Sequence, residues 1–236
     1  ALVAAIPGTF RAERPDDHVQ APWRSELAEG FRWLWANDLL RSMAIILGLM
    51  NMASALSGSV LVLFAQEILN VGPFVFTIMG FGFAAGGAIG GNLAPWLSKR
   101  LGSGTCLAMT LASSAVVSLV VGLSSWWPLV MVVFGIGATV GSTWNVITVS
   151  LRQSIIPPHL LGRVNSVYRF FAWGMMPIGA ALGGITVTVV SQLANRHLAL
   201  RSAFFFDAAI YACLFVIGRS KLTTAKLEAA RNAVPA

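Results

Sequence analysis

The stretch Leu151-Arg152-Gln153-Ser154-Ile155-Ile156-Pro157-Pro158-His159-Leu160-Leu161-Gly162-Arg163-Val164-Asn165-Ser166-Val167-Tyr168-Arg169-Phe170 is where three arginines fall close together in the interior of the chain. An apolar run ends where it starts, and another begins where it ends. Each proline lacks an N–H and clashes with the preceding turn, so two in succession cannot sit inside a continuous helix. The stretch reads as a short charged loop clamped between two very hydrophobic helices.

Composition says what surrounds those helices. Of 236 residues, 56% are hydrophobic and 11% are charged. A soluble domain carries about 25% charged residues, so this chain has too few to clothe a surface in water. A lipid bilayer is the natural solvent. The 23 glycines suit helices that pack closely in lipid. Cys106 and Cys213 both lie inside apolar runs, which points to neither a disulfide framework nor a metal site. The net charge of +7 raises nucleic acid as a partner, but the basic residues scatter at the ends of apolar runs instead of forming one face. No nucleic acid and no cofactor are expected. Gly80-Phe81-Gly82 and Gly135-Ile136-Gly137 invite a dinucleotide-loop reading, yet both miss the third glycine by one position and neither follows a strand.

Outward from the loop, the runs divide into spans. The uncharged run from Ser42 to Gln66 has 25 residues, and about 20 suffice to cross the hydrocarbon core. Asn70-Val71-Gly72-Pro73 makes a turn. The 51 residues from Leu101 to Leu151 carry no charge and are too long for one span. Ser124-Ser125-Trp126-Trp127-Pro128 splits them, with tryptophans of the kind that sit at headgroup level. The expected spans are about 42–68, 73–98, 103–123, 128–151, 164–192 and 202–218, the last being the shortest. Before them, residues 1–41 read as the end of a preceding helix followed by a cytoplasmic linker. Within that linker Leu27, Phe31, Leu34 and Trp35 mark one face of an amphipathic helix, expected to lie along the membrane surface. Residues 219–236 read as a cytoplasmic tail with a frayed helix. The chain starts at Ala1 rather than Met, and the expectation is a fragment.

Orientation follows from lysine and arginine. Placing the linker, Lys99-Arg100, the Arg152–Arg169 loop and the tail on one side collects all of the 16 basic residues except Arg196 and Arg201. The positive-inside rule makes that side cytoplasmic, with both ends of the chain there. The opening loop then reads as a cytoplasmic hinge of a membrane transporter.

The sequence Gly91-Asn92-Leu93-Ala94-Pro95-Trp96-Leu97-Ser98-Lys99-Arg100-Leu101-Gly102, expected as the loop after the second span, resembles the second copy of the major facilitator superfamily signature. It keeps Gly91, Leu93, Ala94, Lys99 and Arg100 and departs at Pro95, Trp96 and Ser98. The usual acid is missing, so the charge-relay role of that position does not carry over. Glu29-Gly30-Phe31-Arg32-Trp33-Leu34-Trp35, together with Arg152-Gln153, Pro157, Gly162-Arg163-Val164-Asn165, Arg169, Gly174, Pro177-Ile178-Gly179-Ala180 and Gly183-Gly184, resembles the bacterial branch that holds the enterobactin exporter and macrolide-efflux proteins. The resemblance implies an all-α membrane protein whose six helices form the carboxy-terminal half of the fold. It implies alternating access at a site near the bilayer midplane, shared with an amino-terminal six-helix half that is absent here. It also implies efflux of an amphipathic small molecule (drug, macrolide or siderophore) across the bacterial inner membrane, with protons as coupling ion.

Several residues are candidates for that work. Gly82, Gly86 and Gly90, Gly137 and Gly141, and Gly179 and Gly183 form small faces for helix packing. Ionisable groups within spans are costly and default to functional candidates. Glu67 is either an interfacial carboxylate or a coupling group. Asp207 either pairs with Arg201 or handles protons. Gly141, Asn145, Thr148 and Arg152 fall on one helical stripe, and Asn51, Ser54 and Gly58 on another; both stripes line a cavity or make interhelical hydrogen bonds. Trp173 and Met176 suit an adaptable apolar wall beside Pro177. Arg163 and Arg169 are expected to anchor their helix to lipid phosphate or to the partner half.

Other classes are weaker on sequence. An ATP-driven permease needs long cytoplasmic helices for coupling, and the loops here are short. A homodimeric half-transporter sits poorly with the non-Met start. His18, His159 and His197 all fall in linkers or loops, so an intramembrane hydrolase finds no catalytic set and no enzyme is expected.

Overall fold

The computed structural model describes residues 23–233. The expected end of a preceding helix and most of the linker lie outside them. The described residues form α1 (Trp23–Ala36), α2 (Asp38–Gly58), α3 (Leu61–Glu67), α4 (Pro73–Leu101), α5 (Ser103–Leu123), α6 (Trp127–Ile155), α7 (Leu161–Leu193), α8 (Arg196–Lys221) and α9 (Thr224–Asn232). Among the described residues, six helical stretches are long and apolar enough to cross a membrane, with α2 and α3 together making the first.

Local chemistry sets the boundaries. Asn37 caps α2 through its side chain, Pro73 and Pro128 stand at the starts of α4 and α6, and Asn195 caps α8. Pro157 and Pro158 lie in the short turn between α6 and α7.

Several expectations change. The signature residues Gly91, Lys99 and Arg100 belong to α4 itself, and the chain reverses at Gly102 with φ +83°. A Cβ at Gly102 would also meet the Thr224 hydroxyl oxygen at 2.7 Å, so glycine is required twice over. The last span is not the shortest: it has 26 residues and starts at Arg196, because Asn195 caps it ahead of the two arginines. The tail helix is not frayed. Thr223 caps α9, Leu227 is buried, and Gly104 N–H donates to Thr224 Oγ1 at 3.1 Å. On α1, Leu34 is fully buried against the bundle, so this helix is docked and not simply afloat on lipid.

The helix pairing is symmetric. The principal partners are α2 with α7, α4 with α6, and α5 with α8. Exchanging the triplet α2, α4, α5 for α6, α7, α8 maps this list onto itself. Because each triplet has three spans, the second enters from the opposite side, which is the inverted repeat seen in secondary transporters. Close contacts follow the same plan. A Cβ at Gly82, Gly86 or Gly90 would strike Met131, Gly135 or Thr139 of α6, while one at Gly179 or Gly183 would strike Met52 or Leu56 of α2. In both pairs the two helices advance together, so they run parallel with backbones in contact. On α6 the packing glycine is Gly135. Gly141 has open space where its Cβ would be, and Gly137 meets only the Val117 side chain at 3.3 Å.

Candidate functional site

A cavity of about 410 Å³ lies among α2, the start of α3, α4, α5, α6 and α8. Its exposed lining residues, Ser54, Gly58, Gly80 and Phe83, belong to α2 and α4, so its mouth is between these helices. Ser57, Ser118 and Asp207 lie at its floor and are buried.

Asp207 is the twelfth of the 26 residues of α8, roughly 16 Å along the helix at 1.5 Å per residue. It is deeper than the sequence reading placed it and only 4% exposed. Ser57 Oγ donates to its Oδ2 at 2.9 Å and Ser118 Oγ at 2.8 Å. Oδ1 is buried with no hydrogen-bond partner among the described residues. Among the described residues, no lysine, arginine or histidine lines the cavity. One turn on, Tyr211 shares a 2.8 Å hydrogen bond with Ser54 and donates to the Met50 carbonyl at 3.3 Å. Withdrawing a carboxylate from water without a cation is expensive, and such a group persists where function uses it.

The expected Arg201 partner is corrected. Arg201 donates to the carbonyls of Gly122 at 2.6 Å and Ser124 at 3.1 Å and to Ser125 Oγ at 2.6 Å. It closes the carboxy-terminal end of α5, where unpaired carbonyls attract a cation. Asp207 is left to the two serines.

The first span breaks beside this floor. Between Gly58 and Leu61 the α-helix is interrupted at Ser59 and Val60, and Ser57, Gly58 and Leu61 all line the cavity. Irregular backbone at membrane depth is tolerated only where it is buried in protein or lines a cavity. The break is local evidence that the cavity belongs to the fold.

The other expected cavity residues do not gather there. Asn51 donates to the Ala172 carbonyl at 2.7 Å and ties α2 to α7. Thr148 is buried and donates to the Trp144 carbonyl of its own helix at 2.9 Å. Asn145 faces outward on α6, and Trp173 and Met176 are exposed on α7, Trp173 at 63%. Of the expected set, Ser54 lines the cavity.

At the basic end, Arg163 is held by α1. It pairs with Glu26 at 2.7 Å and with Glu29 at 2.5 Å. Gly30 lets α1 approach, since a Cβ there would meet the Arg163 backbone at 2.8 Å. Phe31 and Trp35 stack on each other, with ring centres 5.1 Å apart, and both lie against Phe171. Arg163 is thus clamped within the chain by two carboxylates of α1. Arg152 lies with its guanidinium over the Tyr168 ring at 3.9 Å, and Arg169 lies over Trp173 at 5.2 Å. At the opposite end, Glu67 forms a two-point pair with Arg196 at 3.0 and 2.9 Å.

Sequence reasoning found Asp207 and Ser54 but not Ser57, Ser118 or Tyr211. Serines and a tyrosine inside apolar runs carry no signal until the fold brings them to one carboxylate.

The model of the Major Facilitator Superfamily matches residues 43–233. The chain is also similar to "Enterobactin exporter EntS" of Escherichia coli O139:H28 (strain E24377A / ETEC), at 30% identity over 81% of this chain and 44% of that protein. The protein of that name from Shigella boydii serotype 18 (strain CDC 3083-94 / BS512) gives the same figures, 30%, 81% and 44%. That of Escherichia coli O1:K1 / APEC gives 28% identity over the same shares, 81% and 44%. The chain thus spans about half the length of these relatives. No solved structure matches. Six apolar spans in an inverted pairing and a family match over most of the chain lead to one assignment: the chain belongs to the Major Facilitator Superfamily.

Proposed function

We propose that this chain is one six-helix half of a proton-coupled exporter that moves an amphipathic small molecule by alternating access. The observation that carries the reading is Asp207, a carboxylate buried at a cavity floor with, among the described residues, no partner for one oxygen and no basic residue in the lining. Such a group changes charge by taking up a proton, and a change of charge at the floor of a cavity couples occupancy to proton movement. The similarity to enterobactin exporters supports export as the direction. In this reading a second six-helix half covers the exposed faces of α4 and α7, the two least buried spans. The membrane is the bacterial inner membrane, with the α1 and α9 end in the cytoplasm, as the distribution of lysine and arginine supports.

The test uses inside-out membrane vesicles, a proton-sensitive dye and a panel of siderophores, macrolides and amines. The expected result is substrate-dependent proton release that Asp207→Asn abolishes while insertion in the membrane is retained. Undiminished proton-coupled export by Asp207→Asn refutes the reading.

A further inference from the structure

The cavity floor has a one-sided hydrogen-bond balance. A serine hydroxyl has a single hydrogen. The shortest contact of each hydroxyl is to Asp207 Oδ2, at 2.9 Å from Ser57 and 2.8 Å from Ser118. What these serines have left for an incoming group is lone pairs, and the buried Asp207 Oδ1 has its lone pairs unfilled as well. The floor therefore offers acceptors and a negative charge.

The walls above it are mostly apolar and include Phe76, Phe83, Phe134 and Phe204, with the hydroxyls of Ser54 and Ser114 among them. Ring faces attract a cation. The volume of about 410 Å³ falls in the range of roughly 300–1,000 Å³ usual for small-molecule sites.

We infer that this cavity binds a lipophilic organic ammonium ion, a protonated primary or secondary amine with an aryl or alkyl tail. Its N–H groups donate to Asp207 Oδ1 and to the serine lone pairs, and its tail lies along the phenyl walls. An anion meets a like charge and no donor at the floor, so carboxylates, phosphates and ionised catechols are excluded from it. A neutral alcohol has one donor and leaves the carboxylate charge uncompensated. The inference rests on the export reading only in calling this cation a cargo.

The experiment is titration calorimetry on the purified protein in lipid nanodiscs with 4-phenylbutylammonium as probe. 4-Phenylbutanol and 4-phenylbutyrate serve as neutral and anionic counterparts. Saturable binding of the amine is expected, at least tenfold weaker binding of the alcohol, and none of the carboxylate. Asp207→Asn should weaken amine binding at least tenfold. Gly80→Phe narrows the mouth at a position where a Cβ meets nothing within 4 Å, so it serves even where Asp207→Asn fails to fold. It too should weaken amine binding at least tenfold. No amine binding, equal binding of amine and alcohol, or wild-type affinity in a folded variant overturns the inference. Missing amine binding alongside Asp207-dependent proton-coupled export removes the ammonium assignment and leaves the exporter. Amine binding that needs Asp207, beside export that does not, does the reverse.

Discussion

Glycines that look alike in the sequence should differ by a predictable free energy. A Cβ at Gly86 would lie 2.6 Å from the Gly135 carbonyl carbon and 2.8 Å from its Cα. Carbon atoms prefer separations of about 3.5–4.0 Å, so α6 must retreat by roughly 1 Å to admit a methyl group. Its backbone has no rotamer with which to move aside. Overpacking of this kind costs about 1–3 kcal/mol. Gly91, on the same helix, has nothing within 4 Å. Alanine at either position gains about 0.5–1 kcal/mol from helix propensity, and this gain cancels in the comparison. Gly86→Ala should therefore fall below Gly91→Ala by about 1–3 kcal/mol, the overpacking cost alone. The inverted repeat supplies an internal replicate. On α7, Gly179 abuts the Met52 backbone while Gly184 meets open space, so Gly179→Ala and Gly184→Ala should show the same contrast. Reversible unfolding in mixed micelles, followed by tryptophan fluorescence, measures all four variants under one condition. Equal stability within each pair would refute the backbone-contact geometry. A contrast in one pair alone would refute the symmetry.

Three further outcomes can be checked. Arg163→Gln should loosen α1 from α7, but only modestly: Arg163, Glu26 and Glu29 are each about a third to a half exposed, and such pairs contribute roughly 1 kcal/mol or less. A double-mutant cycle with Glu29→Gln, read by spin-label distances between α1 and α7, should give a coupling that weakens with salt; zero coupling removes the clamp. Arg201→Ala should cost more, about 1.5–3 kcal/mol, because a charged donor leaves the Gly122 and Ser124 carbonyls together. Wild-type stability in this variant would show that water caps α5 equally well. Around Asp207, Ser118→Ala should destabilise by about 1–3 kcal/mol, since it removes one of the two hydrogen bonds to a buried carboxylate and leaves only that of Ser57. The triple variant Ser57→Ala, Ser118→Ala and Asp207→Val, which removes the donors and the acceptor together, should recover that stability and lose transport. Marked instability of the triple variant would make the cluster a structural brace.

The spans were legible because lipid imposes a length and a polarity that a one-dimensional scan can see. The double proline showed where α6 must end, and the turn before α7 holds both prolines. Other features needed the third dimension. Arg163 meets Glu29 across 134 positions, and nothing local announces that partner. Arg196 and Arg201 suggested a loop because charge is dear in lipid. The fold instead gives Arg196 to Glu67 and Arg201 to the end of α5, so α8 starts earlier and Asp207 sits deeper. The stripe through Asn145 and Thr148 obeyed helical spacing, yet Thr148 turns back onto its own helix and Asn145 faces outward. Spacing places residues on a face. It does not say what that face meets.

The candidate site sits where the two triplets stop being alike. Packing treats them as equivalent: glycines of α4 lie on α6, and glycines of α7 lie on α2. The cavity does not. Its α2 wall carries the hydroxyls of Ser54 and Ser57 and a helix break, whereas its α6 wall is an unbroken helix presenting Phe134, Gly137 and Ala138. Its one carboxylate comes from α8, and the facing α5 contributes Ser118. A symmetric scaffold needs backbone contact and small residues, which any equivalent pair of helices can supply. Directional hydrogen bonding to one charge needs particular side chains at one depth, and the triplets divide them unequally: α2 and α5 of the first bring the serine donors, and α8 of the second brings the carboxylate. Grafting a hydroxyl onto α6, as Gly137→Ser, should therefore disturb packing little, because a Cβ at Gly137 meets only the Val117 side chain, at 3.3 Å. The graft should not replace Ser54 and Ser57. If it restored transport to the Ser54→Ala, Ser57→Ala variant, the break beside Ser57 would have no part in the site.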